Sequence, residues 1–214
     1  MHRRLFLLGG SPAFAVYADK FVQDAGGTEA RRAALVGSAE GWQKFIDLIT
    51  LPWKERGVTQ IYPIMPDVDG SLDINGTLSV LQNATGIFIG GGYTPVYHRL
   101  YASGAVGEMI QQCYAAGVPV AGVSAGALIS MEICQLVPDE TGRENQEIVK
   151  GLCLAQGYLV GVHFTEWNTM PEVEEVMRTT GSHKALGIDE PACAVFEDGV
   201  FVRALGQSVH EIQM

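Results

Sequence analysis

Short apolar runs alternate with longer helix-period segments along most of this chain, and that alternation restricts the fold more than any other feature. Arg4–Leu8, Ala33–Val36, Gln60–Pro63, Gly86–Ile89 and Pro119–Val123 are rich in Leu, Ile and Val, or small, and are bounded by Gly or Pro, as buried strands are. Between them, Gly41–Arg56 places Trp42, Phe45, Ile46, Ile49 and Trp53 on one helical face before Gly57. Val96–Ala116 repeats the pattern with Leu100, Met109, Ile110 and Cys113, with Gly104 and Gly107 as its weak points. Strands fully apolar on both faces and separated by helices predict an α/β fold, a doubly wound and mainly parallel sheet. After about residue 134 the alternation loosens: Asp139–Glu147 reads as an exposed loop or hairpin tip, and Asp198-Gly199 inside Ala194–Val202 predicts a C-terminal antiparallel hairpin. No linker or repeat interrupts the 214 residues, so one domain over 1–214 is expected.

The charge narrows the partners. Lys plus Arg is 14 against Asp plus Glu 24, a formal net charge of −10, which disfavours nucleic acid and anionic membranes. No apolar run reaches the length of a membrane span. The basic, apolar start loosely resembles a signal peptide, but Gly9, Gly10, Ser11 and Pro12 fit a strand followed by a turn better. Cys113, Cys134, Cys153 and Cys193 lie in apolar stretches without zinc spacing, so reduced thiols, a cytoplasmic location and no metal are expected.

The sharpest chemical feature is GVPVAGVSAGALIS, residues 117–130. An apolar strand runs directly into Ser124, flanked by Gly122 and Gly126, and then into a helix-forming run. That is the G-x-S-x-G pattern of a nucleophile elbow, where small neighbours permit a tight turn that exposes Oγ. The backbone N–H of Ala125 would face a developing oxyanion. IFIGGGYT, residues 87–94, ends a second strand in three glycines and can supply the other donor, Gly92. Gly91, Tyr93 and Thr94 then line the substrate side. A serine needs a base, and there are five histidines: 2, 98, 163, 183 and 210, the last in the polar tail. His163 closes the apolar run YLVGVHF, where a strand end can project into a cleft. Residues alone leave it open between a base and a core histidine.

GGG after a strand, GVSAGA, VHF and ALGIDE, in that order, resemble peptidase family S51, the aspartyl dipeptidase (peptidase E) and cyanophycinase family. The resemblance runs from LLGG near the start to GIDE. It implies a class I glutamine-amidotransferase-like fold and a Ser-His-Glu triad of Ser124, His163 and Glu190, without a cofactor. Asp139 and Asp189 are the competing carboxylates; strand alternation turns Asp189 away if Glu190 points inward. The expected function is a serine hydrolase, a dipeptidase or exopeptidase, cleaving an amide bond in a small peptide or peptide-like substrate. An esterase or amidase on the same triad, and a weakly catalytic binding protein, are the alternatives. A homodimer is compatible with either.

One stretch departs from the family pattern. Arginines that follow HF in the family are replaced here by Trp167, Thr169 and Glu172, within HFTEWNTMPEV. Guanidinium groups recognise carboxylates bidentately, so their absence predicts that N-terminal aspartate is not preferred. Trp167 is the expected substrate-facing residue in their place.

Overall fold

The computed structural model describes residues 2–29, 31–35, 42–136, 147–207 and 209–214, and the side chains of Leu35, Trp42 and Gln43 lie outside that description. At its centre, β1 (Arg4–Leu8) sends Leu5 and Leu7 into one core and Phe6 and Leu8 into another. All four are fully buried, which is why the run shows no polar alternation. Beside it lie β5 (Val120–Val123), β4 (Gly86–Ile89), β2 (Arg32–Leu35) and β3 (Ile61–Ile64), all parallel and in that order. On its other side β10 (Ala192–Glu197) and β11 (Val200–Gly206) add as an antiparallel hairpin, completing seven strands. Asp198 and Gly199 join them with φ of 50° and 86°, the two positive values a type I′ turn requires.

Helices cover both faces. On one, α1 (Phe14–Asp24) and α2 (Trp42–Lys54) bring Tyr17, Phe21, Ile49 and Trp53 against Phe6 and Phe88. Phe21 stacks on Trp53 at 5.5 Å, and the Trp53 indole N–H donates to the Tyr17 hydroxyl at 3.0 Å, so the buried polar atoms satisfy each other. On the other face lie α3 (Ile74–Asn83), α4 (Thr94–Tyr101), α5 (Gly104–Ala115) and α6 (Ala125–Ser130), through residues such as Leu81, Tyr101, Ile110 and Ile129. The single helix expected over Val96–Ala116 is two: Ala102 and Ser103 break it, and Gly104 has φ 58°. Pro95 favours an early start, because a first-turn residue needs no N–H.

A smaller sheet carries the rest. β8 (Leu159–Val162) and β9 (Lys184–Ile188) are parallel, and β12 (Val209–Gln213) pairs antiparallel with β9. The helix α7 (Met170–Thr180) connects β8 to β9 and buries Val173, Val176 and Met177 against them. β6 (Ile133–Leu136) and β7 (Glu147–Lys150) form an antiparallel ribbon. Glu147 therefore opens a strand instead of closing a loop, and residues 137–146, with Asp139, lie outside the described residues. No described helix is long and apolar enough to cross a membrane, and none of the four cysteines is disulfide-bonded.

Candidate active site

Ligand sites in open parallel sheets form at the carboxyl ends of the strands. Here the ends of β1, β4 and β5 meet. The Ser124 N–H donates to the Leu8 carbonyl at 3.1 Å, and the Gly126 N–H to the Gly90 carbonyl at 3.0 Å. Such packing leaves no room for side chains: a Cβ at Gly122 would lie 2.4 Å from the Gly126 oxygen, and one at Gly126 2.3 Å from the Ile89 oxygen. Ser124 itself sits at φ 51°, ψ −114°, a conformation that costs a non-glycine residue about 1–3 kcal/mol and is held by the surrounding bonds.

The small sheet brings the partners. In the parallel register Val162 lies opposite Ile188, so His163 and the pair Asp189-Glu190 emerge side by side from β8 and β9. The Ser124 hydroxyl donates to His163 Nε2 at 3.0 Å, and His163 Nδ1–H donates to Glu190 Oε1 at 2.8 Å. His163 is only 9% exposed and also has positive φ, 48°. The other four histidines have other partners: Asp198 for His2, the Lys150 carbonyl for His98, the Met214 carbonyl for His183 and Asp189 for His210. The near-terminal LLGG acquires a physical role, since a Cβ on Gly10 would come within 2.8 Å of Glu190 Cγ.

Asp189 lies past the end of β9 and bonds to groups other than His163. Its carboxylate accepts the Thr165 N–H at 3.0 Å and the His210 Nε2–H at 2.8 Å. Burial pushes this carboxyl up, but the hydrogen bonds from His210 and Thr165 outweigh it and hold it below the usual carboxylate range. A depressed folded-state value means that ionised Asp189 stabilises the native state above the unfolded value, near 3.9, and that this is lost as pH falls through the folded one. Asp189→Asn should therefore cost about 1–3 kcal/mol at pH 7 and much less once the medium is acid enough to protonate the wild type. Thermal unfolding of both proteins from pH 7 to pH 3 checks this; parallel curves would refute it. His210, read from the sequence as part of a polar tail, is a strand residue of β12 opposite Gly187.

The oxyanion-side residues converge as well. Ala125 is the first residue of α6, whose N–H has no intrahelical acceptor, and Gly91 packs on Ser124. The Tyr97 hydroxyl donates to the Gly91 carbonyl at 2.9 Å. In a trans peptide the C=O and the next N–H point oppositely, so Tyr97 fixes the direction of the Gly92 N–H. Nothing in the sequence marked Tyr97, whose role runs through a main-chain atom. Tyr93 is 47% exposed, whereas Thr94 is 2% exposed, so only the first of this pair offers its side chain to solvent. Trp167 is 66% exposed and stacks on the His163 ring. Glu166 accepts the Glu190 N–H at 3.2 Å through Oε1.

Residues 5–203 match the model of Peptidase family S51. The chain belongs to peptidase family S51. Two solved structures share the fold of this S51 chain. A peptidase from an acI-B1 Actinobacterium superposes with a TM-score of 0.77 at 17% identity, covering 100% of this chain and 91% of the other. A putative peptidase E protein from Listeria monocytogenes EGD-e gives a TM-score of 0.62 at 14% identity, with 100% of each chain covered. At such identities the likeness speaks for the fold alone. The S51 match reaches from β1 into β11, so it spans the elbow, the triple-glycine loop and both strand ends of the small sheet.

Proposed function

We propose that this S51 chain is a serine peptidase that cleaves an amide bond in small peptides, with Ser124 as nucleophile, His163 as base and Glu190 as the orienting acid. One observation carries the reading: a serine on a strained elbow, a histidine and a carboxylate are hydrogen-bonded in series at 3.0 and 2.8 Å. Ser124 Oγ attacks the scissile carbonyl carbon while His163 Nε2 takes its proton. The carbonyl oxygen gathers negative charge between the N–H groups of Gly92 and Ala125. His163 then protonates the leaving amine as the C–N bond breaks; the same imidazole deprotonates a water that attacks the acyl carbon, and it returns that proton to Ser124 Oγ as the acyl–oxygen bond breaks. Glu190 holds the Nδ1–H tautomer and stabilises the imidazolium without taking its proton. A fluorophosphonate probe should label the protein at Ser124, and a dipeptide library should contain hydrolysed members. Labelling at another residue, or none, would overturn the assignment.

The same reading sets a preference. Four groups bear on a substrate carboxylate near Trp167. Glu166 leans on the Glu190 N–H, and Glu172, in the first turn of α7, has Oε2 buried without a hydrogen-bond partner among the described residues. Arg99 donates to the Gly70 carbonyl, and Arg178 sits in the last turn of α7, roughly 12 Å along the axis from its start. An aspartyl side chain would meet like charge and no guanidinium, and an unpaired carboxylate costs several kcal/mol against about 1.4 for each tenfold in rate. Leu-Leu and Lys-Leu should exceed Asp-Leu in kcat/KM by at least about tenfold; a preference for Asp-Leu would refute this.

A further inference from the structure

The His163 imidazole has two edges and two faces, and three of the four have assigned neighbours. Its edges meet Ser124 and Glu190. One face is covered by the Trp167 indole, with ring centroids 3.9 Å apart and planes inclined by only 12°. This stacking is built into the backbone. The chain turns back after His163, with the Trp167 N–H donating to the His163 carbonyl at 2.8 Å and the Thr169 N–H to the Phe164 carbonyl at 3.1 Å. Asn168 takes a positive φ of 52° within that turn. Trp167 is 66% exposed and His163 9%, so a large apolar ring is held in solvent where it shields a smaller one.

We infer that Trp167 acts on the proposed base: its π face stabilises the His163 imidazolium that forms in each proton transfer. The inference rests on the triad reading and extends it. An indole face is the strongest aromatic partner for a cation, and the imidazolium is the one positive charge the mechanism creates. The other groups around the ring do not supply this. Glu190 stabilises the cation along the Nδ1 edge, and Ser124 occupies the Nε2 edge. Glu166 bonds to the Glu190 N–H, while Asp189 and His210 act on the Thr165 N–H side. Among the described residues no Lys or Arg pairs with His163, so the face contact is not competing with a neighbouring cation. Trp167 touches no reacting atom on this account; it is a positioning residue whose effect is electrostatic. Only its outer face remains for a substrate.

The test compares Trp167→Phe, Trp167→Tyr and Trp167→Leu by the rate of fluorophosphonate inactivation across pH 5 to 9. Leucine still covers the ring but lacks the quadrupole. The maximal inactivation rate of Trp167→Leu should fall about three- to tenfold, with the acid limb of its pH profile moved to lower pH and probe affinity little changed. Phenylalanine and tyrosine should restore most of the rate and the position of the limb. A leucine variant with the wild-type limb and rate, or aromatic variants as slow as leucine, would overturn the inference while leaving the triad in place. A change confined to probe affinity would make Trp167 a binding residue and overturn it equally. Wild-type protein that is not labelled at Ser124 would instead remove the triad reading and this inference together.

Discussion

Ser124→Ala should reduce peptide hydrolysis by on the order of 10⁵- to 10⁶-fold, and His163→Ala should do nearly the same. The two losses are alike because the groups act as one unit: an oxygen without a base is a poor nucleophile, and a base without the oxygen has nothing to activate. Glu190→Gln should be milder, about 10⁴-fold, since an amide still fills the space beside Nδ1 but no longer favours the imidazolium. What remains in every variant should come from the proposed oxyanion donors, the N–H groups of Gly92 and Ala125, neither of which is substituted. Ser124→Ala should also be no less stable than wild type. Alanine loses one hydroxyl, and Ser124 donates to His163 from a position that solvent partly reaches. Steady-state rates on the best dipeptide, with thermal unfolding alongside, measure both effects. Hydrolysis by Ser124→Ala at the wild-type rate would end the assignment.

The second large effect needs no change to any reacting group. Gly126→Ala adds one methyl 2.3 Å from the Ile89 oxygen and 2.7 Å from the Gly90 oxygen, both main-chain atoms that cannot rotate aside. Something must shift, and the parts in contact are the elbow and the triple-glycine loop. The expected cost is about 2–3 kcal/mol of stability, with a loss of activity well beyond what the unfolded fraction explains. The reason is that the Gly126 N–H to Gly90 carbonyl bond ties the elbow to the triple-glycine loop, which carry the proposed oxyanion donors Ala125 and Gly92. Denaturant unfolding, with activity measured on the folded fraction, separates the two consequences. Full activity per folded molecule would show that the cradle tolerates the movement.

How much of this could be read from the chain depends on how local each feature is. The elbow was legible because strand, serine, small neighbours and helix are contiguous from Val118 to Ser130. The hairpin at Asp198-Gly199 was legible for the same reason. Glu190 was not, on residues alone: it meets His163 only because β8 and β9 pair in parallel with Val162 opposite Ile188, 27 residues of separation closed by a register. The family resemblance supplied it. His210 looked like tail because β12 is half polar, and its meaning depends on the antiparallel pairing that brings it to Asp189. The break at Ala102 and Ser103 was marked by Gly104, one residue late. Tyr97 bonds to a main-chain atom, which leaves no trace in a pattern of side chains.

The division of the proposed triad between two sheets has a further meaning. The nucleophile and the oxyanion donors belong to the ends of β4 and β5, whereas the base, its carboxylate and the segment carrying Trp167, Thr169 and Glu172 belong to the small sheet and α7. Every position where the chain leaves the S51 arginine pattern lies on that second side. The proposed triad is thus closed across two pieces of backbone, joined by the short link from Asp189 to Pro191 and the contact of Glu190 with Gly10. On the proposed mechanism the proton passes from a residue held at the end of one sheet to a residue held at the end of the other.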